Sequence, residues 1–170
     1  MAVIERYREW YEHERDSNDK MIGMLEGVPA DRRDDARYAR ALTLAGHLAA
    51  CRENWLDMIR HGETDLVDWW PQDVTLADLR PRYGRLESAW TEYLGSLTDE
   101  ELVKDFEFKD GGHWWRWNVE GQIAQLNGHA PYHRGQIAQI VDSLGGETGD
   151  TDYVEWAMPR DPRWGGPIER

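Results

Sequence analysis

Cysteine is nearly absent from this 170-residue chain, which carries only Cys51. A single cysteine excludes a disulfide within the chain, and we therefore expect a cytoplasmic protein. Long apolar runs are missing as well, since no stretch approaches the roughly 18 residues of a membrane-spanning helix. The N-terminus also lacks the hydrophobic segment of a signal peptide. These absences indicate a globular protein without a membrane partner.

Basic residues are scarce relative to acidic ones. The chain has 20 Lys and Arg against 33 Asp and Glu, which gives a formal net charge of −13. Binding to nucleic acid or to an anionic membrane needs clustered cations that neutralise phosphates, so this balance opposes both. A small molecule is the expected partner.

Phenylalanine occurs only twice, whereas tryptophan occurs ten times. Wide aromatic surfaces are typical of tight helix packing, of a dimer face or of a lined pocket, and composition does not distinguish these. We expect a homodimer built on helix faces rich in Trp and Tyr.

Apolar residues recur at spacings of three and four in four long segments. This pattern predicts helices over residues 2–26, 31–61, 75–97 and 118–144. Residues 105–117 instead alternate around a Lys-Asp-Gly-Gly turn, which predicts a small β-hairpin before the last helix. The length fits one domain, which we place at residues 1–156. Residues 157–170 are expected to form a mobile tail.

A histidine pair in the last predicted helix carries the clearest chemical signal. His129 and His133 are four residues apart, a spacing that places both on one helix face and lets both reach one metal ion. Histidines at this spacing are, however, more often packing residues than ligands, so a third ligand is needed. His47 lies within the apolar seam of the second predicted helix and is the candidate.

The sequence between Asn127 and Pro131 leaves two alternatives open. Gly128 and Pro131 can mark a helix end and a restart, which would misplace His129. Otherwise the helix continues with a kink, because Pro131 cannot bond the carbonyl of Asn127. We predict a continuous, kinked helix.

Several segments together resemble the DinB-like family of metalloenzymes. The most specific are residues 44–48, which read Leu-Ala-Gly-His-Leu, and His129 followed by residues 133–137, His-Arg-Gly-Gln-Ile. Residues 97–102, Leu-Thr-Asp-Glu-Glu-Leu, resemble a weaker family signpost in the same order. The resemblance covers residues 5–156.

This resemblance implies an all-α fold, an up-down four-helix bundle with a long second connection, often dimeric. It also implies a divalent metal, zinc or nickel, held by His47, His129 and His133. Relatives include thiol-dependent transferases, which use small thiols such as mycothiol or bacillithiol, and hydrolases. Two positions depart from the family pattern. Gln125 stands where many members have a further histidine, and Arg52 where aspartate is common.

A site of three neutral histidines leaves a coordination position open, where the metal can activate water or a thiol. Glu14 and Asn18 interrupt the apolar stripe of the first helix, either as solvated residues or as the wall of a polar cavity. In the second case Glu14 is the candidate general base, and Asn18, Trp55, Gln125 and Gln136 are candidate pocket residues.

Three functions stay open on the sequence. The chain is a metal-dependent enzyme, either a small-thiol S-transferase or a hydrolase; or it binds metal without catalysis; or it is a structural bundle whose histidines only pack.

Overall fold

The computed structural model describes residues 2–64 and 68–161. Its helices are α1 (Val3–Glu26), α2 (Ala36–His61), α3 (Leu76–Ser96), α4 (Asp99–Leu102), α5 (Val119–Ser143) and α6 (Tyr153–Ala157). Its strands are β1 (Asp105–Asp110) and β2 (His113–Asn118), and single 3₁₀ turns lie at Ala30–Arg32 and Met158–Arg160.

The four long helices form a bundle in which α1 and α2 each pack against both α3 and α5. Arg80, early in α3, pairs with Glu26 at the end of α1, so these two helices are antiparallel. The Tyr83 hydroxyl of α3 donates to the carbonyl of Ala45, early in α2, and Arg60 lies over the ring of Tyr93 near the end of α3. Helices α2 and α3 are therefore parallel, and the chain between them must return along the bundle. This confirms the predicted all-α bundle with a long second connection.

Capping residues set the helix ends. The Asp35 side chain accepts a hydrogen bond from the backbone N–H of Arg37 and starts α2, five residues later than the predicted residue 31, because a 3₁₀ turn precedes it. Gly62 ends α2 at a φ of 78°, a left-handed conformation that glycine adopts without strain. Thr75 and Asp78 form a capping box at the start of α3.

The predicted hairpin is confirmed as the antiparallel pair β1 and β2. Gly111 and Gly112, at φ values of 57° and 81°, make the turn. The strands dock on the bundle because the backbone N–H of Lys109 donates to the carbonyl of Gly62 over 2.8 Å and because Phe106 is buried.

Helix α5 runs without interruption through Pro131, which confirms the prediction of a continuous helix. His129 and His133 therefore share one face. After α5, residues 153–157 form a further short helix, α6, which Asp152 caps and which the apolar pattern did not predict. Most of the expected mobile tail, residues 162–170, lies outside the described residues. Among the helices in the described ranges, none is long and apolar enough to cross a membrane.

The connection that follows α2 lies directly on that helix at Gly46. A Cβ at Gly46 would lie 2.5 Å from Cγ2 of Val74 and 3.1 Å from Cγ of Pro71, two stiff side chains. We expect Gly46→Ala to lower the free energy of unfolding by about 1–3 kcal/mol, the usual cost of overpacking. Urea denaturation measures it.

Gly84 is the matched control, because a Cβ there meets nothing within 4 Å. Gly84→Ala should raise the free energy of unfolding by up to about 1 kcal/mol through helix propensity. Equal effects at the two glycines would contradict the close approach at Gly46.

Candidate metal centre

Three histidines from two antiparallel helices meet between α2 and α5. His129 Nε2 lies 3.3 Å from His47 Nε2 and 3.1 Å from His133 Nε2. The rings of His47 and His133 have centroids 5.0 Å apart. The structure thus brings together all three histidines that the sequence singled out.

Hydrogen bonds fix which nitrogen of two rings carries a proton. His47 Nδ1 lies 2.5 Å from the carbonyl oxygen of Trp69, and His133 Nδ1 lies 2.8 Å from Oε1 of Gln136. Both oxygens can only accept, so Nδ1 donates in each case. The Nε2 lone pairs of His47 and His133 are therefore free, and both face His129. Such outer hydrogen bonds orient histidines that bind metals.

The nitrogen spacing suits a small cation. For a tetrahedral ion with Zn–N bonds of about 2.0–2.1 Å, ligand nitrogens lie about 3.3–3.4 Å apart. The two separations that involve His129 Nε2, 3.3 and 3.1 Å, are close to this value. The arrangement can therefore accept a divalent metal after small side-chain movements.

Burial keeps His47 and His129 uncharged at neutral pH. Desolvation, followed by the neighbouring His133 and His47, lowers the pKa of His129 to about 4. Desolvation also lowers the pKa of His47. Neutral imidazoles bind metal without first losing a proton, so these rings are ready ligands at pH 7.

Cys51 also joins the cluster, although the sequence analysis did not identify it as a candidate ligand. Its Sγ lies 3.5 Å from Nε2 and 3.6 Å from Nδ1 of His47, and His47, Cys51 and His129 form a group whose ligand atoms could hold a metal ion. The signal available in the sequence was the four-residue spacing from His47. Burial raises the pKa of the Cys51 thiol to about 12.

The segment after α2 covers one side of the cluster. The Trp70 ring stacks on His47 with centroids 3.6 Å apart and planes 4° from parallel. Arg40 lies over the Trp70 ring, 5.3 Å from its centroid. Trp69 and Trp70 thus fix the His47 ring, one through its carbonyl and the other through its indole face.

Glu14 and Asn18 are buried, as expected if they faced a polar cavity. With Arg52 and His129 they line a small cavity of about 10 Å³, room for roughly one water molecule. Both carboxylate oxygens of Glu14 accept hydrogen bonds from Arg52, one of them over 2.9 Å. Asn18 Oδ1 accepts from Arg134 over 3.1 Å. A general base at Glu14 would have to use a lone pair that Arg52 leaves free.

The remaining candidate pocket residues lie at different distances from the histidines. Gln136 bonds directly to His133. Trp55 packs in an aromatic cluster with Trp69 and Phe108, where ring centroids are 5.9 and 5.0 Å from its own. Gln125 is exposed and accepts a hydrogen bond from Gln122. Only Gln136 of these three contacts the histidine cluster through its own side chain.

Loss of the Gln136 amide should weaken metal binding while the fold survives. We expect Gln136→Leu to reduce zinc affinity about 10–100-fold, because the Nδ1 proton of His133 loses its acceptor. Gln125→Leu, on the same helix but exposed, should leave zinc affinity within about two-fold. Competition titrations with a chromophoric chelator measure both, and equal affinities for the two variants would argue against a supporting role for Gln136.

Comparison with known proteins agrees with this geometry. No curated protein matches the sequence, and no solved structure matches it either. The family model described as "DinB family" matches residues 1–164. That match takes in the whole bundle and every residue of the histidine cluster, and the chain therefore belongs to the DinB family.

Proposed function

We propose that the chain is a metal-dependent enzyme whose divalent ion, zinc or nickel, is held by His47, His129 and His133. The observation that carries the proposal is the convergence of three Nε2 atoms, two of them with lone pairs freed by hydrogen bonds at Nδ1. Without a cation, a neutral His129 can donate its single Nε2 proton to only one of these two nitrogens at a time, whereas a divalent ion would accept all three lone pairs together.

Geometry favours His133 over Cys51 as the third ligand. If His47 Nε2 and a Cys51 thiolate shared a tetrahedral ion, Sγ would lie about 5 Å or more from Nδ1 of the same ring. The observed distance is 3.6 Å, almost the same as the 3.5 Å to Nε2. The sulfur therefore sits beside the imidazole, and its raised pKa also favours the neutral thiol.

Three neutral protein ligands leave an open position on the ion. When bound, the metal would supply a Lewis acid that acts on a thiol or on water. The chain's own residues position the ligands: the Trp69 carbonyl and Gln136 hold two rings, and Trp70 packs against His47. Glu14 is the proposed acid–base residue, with its carboxylate oriented by Arg52.

We infer that the substrate is small and that the first candidate reaction is S-transfer from a low-molecular-weight thiol of the mycothiol or bacillithiol type. An uncharged ligand set supports this, because the ion keeps its full charge for an incoming thiolate. Hydrolysis of a small molecule is the second candidate, since the same open position suits water. Metal binding without catalysis is the third.

Cobalt substitution in the Cys51→Ser variant tests whether the metal binds an added thiol, as S-transfer requires. This variant lacks the chain's single thiol, so any thiolate-to-cobalt charge-transfer absorption must come from an added compound. We expect such a band on addition of 2-mercaptoethanol but not of ethylene glycol, and its loss in Cys51→Ser/His133→Ala. If cobalt binds but no charge-transfer band appears, the result would contradict S-transfer and favour hydrolysis. Failure to bind cobalt would contradict the metal proposal itself.

We also propose that the chain forms a homodimer, with the hairpin as its contact surface in place of the helix faces expected from the sequence. Trp114, Trp115 and Trp117 of β2 are 61%, 55% and 47% exposed, and such large aromatic surfaces are typical of interfaces. Light scattering should give twice the chain mass, and Trp115→Glu should shift it toward the monomer. Val154→Glu, at a 45% exposed site on α6, is the control. A monomeric parent protein at micromolar concentration would refute the dimer.

A further inference from the structure

A second cavity lies between α1 and α5, apart from the histidine cluster. It measures about 450 Å³, within the size range of small-molecule sites. Its α5 wall includes Asn127, Pro131 and Arg134. At 100° per residue, these positions lie on the side of α5 opposite to His129 and His133. A compound in this cavity would therefore not reach the open position of the metal.

The guanidinium group of Arg134 lines this cavity, and only some of its hydrogen-bond donors have partners among the described residues. The residue is only 3% exposed, and its Nη1 donates to Asn18 Oδ1 over 3.1 Å. Its Nε is buried and finds no hydrogen-bond partner within residues 2–64 and 68–161. Nε and Nη2 form the edge of a guanidinium that binds a carboxylate through two parallel hydrogen bonds. Arg134 thus has the donor edge that suits such an anion.

A second donor lines the same cavity. Nδ2 of Asn127 is buried and likewise has no partner among the described residues, while its Oδ1 accepts from Arg52 over 3.2 Å. Buried donors without partners are rare in folded proteins, because each costs its full desolvation energy. Two of them around one cavity indicate that a bound acceptor completes the site.

The rest of the wall limits the ligand to a small anion with an apolar body. Trp10, Pro131 and Tyr153 provide apolar surface. Glu14 also lines the cavity, and its carboxylate is paired with Arg52. One free guanidinium edge beside an acidic residue suits a single negative charge better than a doubly charged phosphate.

We propose that this cavity is a binding site for a small apolar monocarboxylate, held by Arg134 and Asn127 and packed against Trp10 and Tyr153. The cavity shares Glu14 with the small cavity beside His129, but its α5 wall faces away from the histidines, so binding does not depend on the metal. Its occupant completes the hydrogen bonds of two buried donors, which explains why a costly buried arginine stands at this position.

Benzoate is the probe, titrated calorimetrically into the zinc-loaded full chain. We expect saturable binding of one benzoate per chain, and binding of uncharged benzyl alcohol at least about ten-fold weaker, as expected for loss of a charge-assisted hydrogen bond. Removal of zinc with a chelator should leave benzoate affinity unchanged. Absent saturation, equal affinity for benzyl alcohol, or loss of binding with the zinc would each overturn the proposal.

Two variants locate the benzoate. Arg134→Gln should reduce its affinity at least about ten-fold. Gly128→Leu should do the same by filling the cavity, since Gly128 lines it and a Cβ there meets nothing within 4 Å. Gly84→Leu, at an equally open helical glycine elsewhere, should bind benzoate like the parent chain. If Arg134→Gln does not fold, Gly128→Leu decides alone. Unchanged affinity in Gly128→Leu would overturn the site.

Discussion

Replacing His133 with alanine should remove stoichiometric zinc from the protein. We expect zinc affinity to fall more than about 100-fold. Removing only a hydrogen bond that supports a ligand costs about 10–100-fold, and removing the ligand itself should cost more. The reason is geometric, since His133 Nε2 lies 3.1 Å from His129 Nε2 with its lone pair free. Metal analysis after dialysis and a chelator competition measure this loss. Thermal unfolding should also become insensitive to added zinc.

Cys51→Ser is the matched control, because Cys51 is the other side chain beside His47. The number of protons released on zinc binding at pH 7.5 distinguishes a site with His133 as its third ligand from one with Cys51 as its third ligand. His129 has a pKa of about 4 and releases no proton, whereas a Cys51 thiol with a pKa of about 12 must lose one to become a ligand. We expect equal zinc affinity and equal proton release for the parent chain and Cys51→Ser. One proton fewer in the variant would assign Cys51 as a ligand instead.

Replacing Arg52 with methionine should cost about 3–5 kcal/mol of unfolding free energy, as removal of one partner from a buried ion pair does. The side chains of Arg52 and Glu14 are only 5% and 6% exposed. The variant would leave the Glu14 carboxylate buried without its cation. Methionine preserves side-chain volume beside Trp90, but it removes the cation that lies 4.7 Å from that ring's centroid and the hydrogen bond from Arg52 to Asn127 Oδ1. Urea denaturation measures the loss.

A surface pair provides the comparison. Arg116 and Glu107 pair on the hairpin with side chains 67% and 59% exposed, so Arg116→Met should cost less than about 1 kcal/mol. The double variant Arg52→Met/Glu14→Leu should recover most of the stability lost in the single variant, because no charge stays buried. A single-variant cost below about 1 kcal/mol, or a double variant less stable than the single one, would contradict this account of the pair.

Local patterns in the sequence were sufficient for the helices, the hairpin and the histidine pair. Apolar spacing follows the period of each element, and the capping residues Thr75 and Asp78 act within one turn of the chain. His129 and His133 share a face because a continuous helix requires it. The start of α2 was predicted at residue 31 but lies at Ala36, because residues 30–32 form a 3₁₀ turn and Asp35, which follows that turn, caps the helix.

Tertiary structure alone decided what surrounds the histidines. No local rule places the Trp69 carbonyl against His47, because that contact depends on how the connection after α2 packs at Gly46. Glu14 and Arg52, which form an ion pair, are 38 positions apart in the chain, and Arg134 and Asn18, which form a hydrogen bond, are 116 positions apart. Such contacts follow from helix packing, in which side chains distant in sequence meet only after the bundle has formed. The sequence by itself therefore determined the elements and three candidate ligands, whereas packing between elements determined their hydrogen bonds, Cys51's position and the second cavity.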